Sequence, residues 1–80
     1  MGKVMYRFLV IIEQGSHNYS AYAPDLPGCI ATGKTLDEVK KNMREAIELH
    51  LQGMAEDNEE IPTPQSLAEY LDVPAPTSAA

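Results

Sequence analysis

Between residues 24 and 28 the chain reads Pro-Asp-Leu-Pro-Gly, and two prolines within four residues forbid a helix or an unbroken strand across this point. Each proline fixes φ and removes an N–H, so the backbone must break into a shaped, partly apolar corner. Short strand-like runs flank it. Tyr19–Ala23 precedes it, with Tyr19, Ala21 and Ala23 alternating with Ser20 and Tyr22, and Cys29–Thr32 follows, closed by Gly33. A corner of this kind suits recognition better than catalysis.

The remaining elements follow from periodicity. Val4–Ile12 is rich in β-branched and aromatic residues and too short for an uncapped helix, which predicts a strand. Alternation sets Val4, Tyr6, Phe8, Val10 and Ile12 on one side and Met5, Arg7, Leu9 and Ile11 on the other. Residues 13–18, with Gly15, Ser16 and Asn18, form a turn that returns the chain antiparallel. Thr35 with Glu38 makes a capping box, and Leu36, Val39, Met43, Ile47, Leu51 and Met54 recur at helical spacing, with Ala46 and His50 beside them. Glu56, Asp57, Glu59 and Glu60 oppose the dipole at a helix C-terminus, so the helix should end near Ala55. Residues 61–64 are extended. Pro64, Gln65 and Ser66 predict the start of a short helix through Leu71 with Leu67, Tyr70 and Leu71 inward, or alternatively Tyr70–Val73 adds a strand; propensity alone does not decide. The expected fold is α+β: a three- or four-stranded, mainly antiparallel sheet with one long helix on one face and a short C-terminal element. Residues 1–73 form this domain, and residues 74–80, small and proline-bearing, are expected to be disordered.

One helix covers one face of such a sheet, yet the first run is apolar on both. Eighty residues bury only about 60–65% of the surface their unfolded chain exposes, so the core is thin. A second surface is needed, either another copy of the chain (a dimer or tetramer) or a different protein. The set to be covered is Met5, Leu9, Ile11, Tyr22 and the Leu26 corner, or the alternate face if the helix takes these. Charge bears on the partner. The net charge is −6, but residues 1–44 carry all the lysines and arginines and are formally +2, while residues 45–80 hold eight acids and no base. That half repels phosphate backbones and attracts basic proteins, so direct nucleic-acid binding is not expected. No apolar run approaches about 18 residues and no signal peptide is recognisable, which gives a cytoplasmic expectation with no membrane contact.

Catalytic patterns are sparse. Cys29 has no second cysteine for a disulfide and is read as core or interface packing; His17 and His50 lack companion ligands, so neither metal nor cofactor is expected. Gly28 and Gly33 do not make a phosphate loop, and aromatics do not interleave with bases as in single-strand binders. The corner and β residues Tyr19, Tyr22, Asp25, Leu26 and Pro27 are the candidate partner-binding set. Each has a plainer alternative: core packing for the tyrosines, a turn-capping carboxylate for Asp25, corner packing for Leu26 and Pro27.

The run from Tyr19 to Val39 with its P-D-L-P-G-C corner and G-x-T-L-x-E helix start, and the later I-P-x-P at residues 61–64, resembles the HicB-like antitoxin family over roughly residues 4–73. The resemblance implies a partial RNase H-like fold and a partner, the small basic HicA toxin, which has a double-stranded-RNA-binding-like fold and cleaves mRNA with a histidine. Many relatives continue into a DNA-binding segment, whereas this sequence runs to Ala80, so autorepression is not carried over. Nor does the fold label bring nuclease chemistry, since only Glu13 and Asp25 lie near the strands. The expected function is non-enzymatic neutralisation of a HicA-like toxin by direct contact. The alternative is a solitary HicB-like homo-oligomer with a structural or small-molecule-sensing role.

Overall fold

The structure is a computed structural model that describes residues 4–77. Three strands, β1 (Ile11–Gln14), β2 (Tyr19–Tyr22) and β3 (Ile30–Gly33), form an antiparallel sheet in the order β1-β2-β3, followed by one helix, α1 (Leu36–Glu56). The α+β class with one long helix is therefore as expected, with three strands.

Register follows from two turns. Gly15 donates its N–H to the Asn18 carbonyl at 2.7 Å, which pairs Gln14 with Tyr19 and Ile12 with Ala21. At the corner, Leu26 N–H reaches the Ala23 carbonyl and Cys29 N–H reaches the Leu26 carbonyl, each at 3.0 Å, so two tight turns run in tandem. Pro24 and Pro27 each occupy the second position of their turn, and Gly28 sits third in the second turn at φ 84°, the left-handed value a type II turn requires. Proline placement thus converts the sequence break into a defined corner.

The corner also shortens the first strand, which is a correction to the expected Val4–Ile12 element. β2 ends at Tyr22 because Pro24 turns the chain and the next N–H, that of Ala23, points to the Cys29 carbonyl. Residues 4–10 therefore run on past the end of their neighbour without a ladder, while β1 extends to Gln14 where the hairpin supplies a partner. A strand-like sequence forms a strand only where another backbone faces it.

α1 lies across β3 and β2. Thr35 caps it, its hydroxyl accepting from Glu38 N–H at 3.1 Å, and Glu38 in turn accepts from the Lys34 N–H at 2.9 Å, one residue before the usual position. At the other end Glu59 N–H bonds the Met54 carbonyl and Asn58 N–H the Ala55 carbonyl, with Asn58 at φ 56°: a Schellman stop with asparagine in the glycine place. Val39 and Met43 are fully buried against Ala21, Ala23, Leu26 and Cys29, and Phe8, Val10, Ile12, Tyr19, Ala31, Ala46, Ile47 and Leu51 pack around them. Leu36 is exposed, because the stripe meets the sheet only from Val39 onward. Gly33 is required here: a Cβ would stand 2.5 Å from Val39 N and 2.8 Å from Val39 Cα, so the strand end and the first helical turn touch backbone to backbone. Asn42 adds a tie from its side-chain amide to the Thr32 carbonyl at 2.8 Å.

The expected short C-terminal element is absent among the described residues. Residues 60–76 carry neither helix nor strand, and Leu67, Tyr70 and Leu71, expected to face inward, are exposed. The last part of the tail expected to be disordered, residues 78–80, lies outside the described residues.

Candidate functional site

Strand pairing sorts the sheet residues into two faces. Ile12, Ala21 and Ala31 lie in one row toward the helix, and Tyr19 with Gly33 in the next; Ile11, Tyr22 and Ile30 form one row of the opposite face, with Glu13, Ser20 and Thr32 beside it. The helix-side row is buried or half-buried. The other face holds Tyr22 at 39% and Ile30 at 68% exposure, next to half-buried Ile11. An apolar row on an otherwise uncovered sheet face, bordered by polar residues, is the anatomy of a protein-binding patch.

This arrangement separates the sequence candidates. Tyr22 and Pro27 are exposed, the first on the outer face and the second on the corner. Tyr19 points the other way and packs against the core, so the two tyrosines do not act together. Leu26, at 1% exposure, supports the corner from inside as the residue shared by both turns. Asp25 does something the sequence did not suggest: its Oδ2 accepts from Gln65 N–H at 3.2 Å and Ser66 N–H at 3.1 Å, while Oδ1 accepts from the Ser66 hydroxyl at 3.0 Å. The carboxylate thereby fastens the segment after the I-P-x-P motif to the corner. These bonds, the Ser66 N–H foremost, hold its pKa below the ordinary 3.8. Ile30 was missed by the sequence reading, although its alternation with Cys29 and Ala31 places it outward. Of the set to be covered, Ile11 and Tyr22 are on the outer face, the helix having taken the side of Ile12 and Ala21, whereas Leu26 is a correction to that set, since it is buried in the core beneath the corner.

Cys29 is buried and free, and burial pushes its thiol pKa up, the reverse of what a nucleophile needs. Among the described residues no three His, Cys, Asp or Glu side chains converge as metal ligands, and no helix is long and apolar enough to cross a membrane. The geometry offers a docking surface with a rigid corner.

The model of the HicB-like antitoxin of bacterial toxin–antitoxin systems matches residues 8–79. The chain belongs to this family. Similar proteins include an uncharacterised 14.9 kDa protein of Haemophilus phage HP1, 40% identical over 65 residues that make up 81% of this chain and 49% of the phage protein. A UPF0150 protein of Synechocystis sp. is 29% identical over 72 residues, 89% of this chain and 91% of that one. The HicB-like chain thus spans about half the length of the phage relative and nearly all of the Synechocystis one. A chain in a solved HicA3 and HicB3 toxin–antitoxin complex superposes with a TM-score of 0.64 at 25% identity, covering 74% of this chain and 69% of that one.

Proposed function

We propose that this HicB-like domain is a non-enzymatic antitoxin that neutralises a HicA-like, mRNA-cleaving toxin in the cytoplasm by direct protein contact. The observation that carries the reading is the apolar row Ile11–Tyr22–Ile30 left uncovered on the outer sheet face of a member of an antitoxin family. Likeness to a chain of a HicA3 and HicB3 complex supports a toxin as the occupant. Tyr22 and Pro27 make the contact, with Ile30 joining them. Tyr19 and Leu26 hold that surface in shape from beneath, and Asp25 fixes the corner. The eight acids of residues 45–80 steer a basic toxin toward the domain and oppose RNA in the same place. Masking the toxin's RNA-facing surface suffices for neutralisation, and no reaction is required of the antitoxin. The chain also self-associates through its sheet, whose β1 edge has no neighbour among the described residues.

Co-expression with a HicA-like toxin from the same genome tests the reading. The wild-type chain restores growth and co-purifies with the toxin, and Tyr22→Asp combined with Ile30→Asp abolishes both while circular dichroism stays unchanged. Persistent toxicity beside well-folded wild-type chain contradicts it.

A further inference from the structure

The two ends of the described chain each leave apolar surface unused, and they are complementary. Residues 4–10 run beyond the sheet with no ladder, and between them and α1 opens a groove of about 630 Å³, floored by apolar residues such as Met43, Ile47 and Leu51. Its charged residues are Arg7, Lys40 and Arg44 against the single acid Glu48. After the Asp25 clamp the chain leaves the body as an arm, residues 67–73, in which Leu67, Tyr70, Leu71 and Val73 are 79–102% exposed and the charges are Glu69 and Asp72. The radius of gyration, 16.5 Å with a longest extent of 56 Å, exceeds the roughly 11.6 Å of a compact chain of this length, as an outstretched arm requires.

We propose that the arm Leu67–Val73 docks on the Val4–Val10 edge and the adjoining groove of a second copy, and that the exchange is reciprocal, closing a two-fold dimer. It rests on the self-association reading above and is independent of toxin binding. Three features select this occupant. Edge and arm both lie outside any strand ladder, so each has main-chain groups left to pair. The arm's two acids meet a groove with three bases and one acid. The arm makes no use of its own body, Tyr70 being 102% exposed, so its apolar side chains are left for a partner copy to cover. Strand addition then supplies main-chain bonds and the groove accepts alternate side chains. Arg7, which lines the groove, and Tyr70, in the arm, are the pair this docking brings together.

Analytical ultracentrifugation and disulfide trapping of the full chain, without toxin, test this. Lys40→Glu with Arg44→Glu raises the dimer Kd roughly tenfold or more, and adding Glu69→Lys with Asp72→Lys to the same chain restores it. Mixing an Arg7→Cys chain with a Tyr70→Cys chain under oxidation gives mainly the mixed disulfide, since native Cys29 is buried. A wild-type monomer at millimolar concentration, a dimer indifferent to the charge exchange, or a chain carrying both cysteines that closes on itself overturns the proposal. Toxin rescue by the Lys40→Glu, Arg44→Glu chain stays at the wild-type level if only the exchange fails, which separates the two readings.

Discussion

Asp25 was weighed from sequence as a carboxylate for its own turn or for a basic partner, and its actual bonds run to residues 65 and 66, some forty positions away. No local pattern encodes a partner that distant, whereas the turns around it were legible because Pro24, Pro27 and Gly28 dictate their own dihedral angles. Since the folded-state pKa is depressed, the clamp is at full strength above 3.8 and is lost as pH falls through the lower, folded value. NMR titration of the Gln65 and Ser66 amides will therefore show a shared midpoint below 3.8, and Asp25→Asn will abolish that step and raise hydrogen exchange across residues 61–66. Gly33 is the second residue on which much depends. Gly33→Ala forces a methyl against helix backbone that cannot yield, so thermal unfolding should report a loss of about 1–3 kcal/mol. A neutral effect would mean the strand–helix approach is looser than the structure has it.

At the scale of elements, what carried its own signal was readable and what needed a neighbour was not. α1 announced both ends, through Thr35 and Glu38 at the start and through misplaced anions at the finish, and the structure begins and stops it within a residue or so of those signals. Thr35→Ala should cost about 1 kcal/mol in chemical denaturation, because the cap accepts from Glu38 N–H. β2 and β3 lay where alternation put them. Val4–Val10 reads as strand just as clearly, yet it lacks a ladder because the proline corner removes its neighbour, a consequence of topology that composition cannot contain. Leu67–Leu71 has a helical spacing with no face to bury it, and helix formation without packing is marginal at such length. Of the outer sheet face only Ile11 and Tyr22 were legible, Ile30 being missed and Leu26 proving to be core, and choosing between the two faces required the fold.

For the whole molecule, the governing fact is that a single helix shields one side of a small sheet while Tyr22, Ile30, Val4, Met5 and the arm remain in solvent. Such exposure in a chain with so thin a core marks a component of an assembly. Two surfaces divide the work in this account: the outer face with its corner meets the toxin, and the open edge meets another copy. Their independence predicts that damage to the groove leaves neutralisation intact while damage to the outer face leaves the dimer intact. The most direct test is an RNA-cleavage assay with purified HicA-like toxin, titrated with the full chain. The account predicts that cleavage stops at a fixed stoichiometric ratio, and that Tyr22→Asp with Ile30→Asp, folded and dimeric, needs roughly thirtyfold more protein or fails to stop it, as loss of a binding hot spot demands. Undiminished cleavage in the presence of excess wild-type chain, or full protection by the outer-face variant, would contradict it.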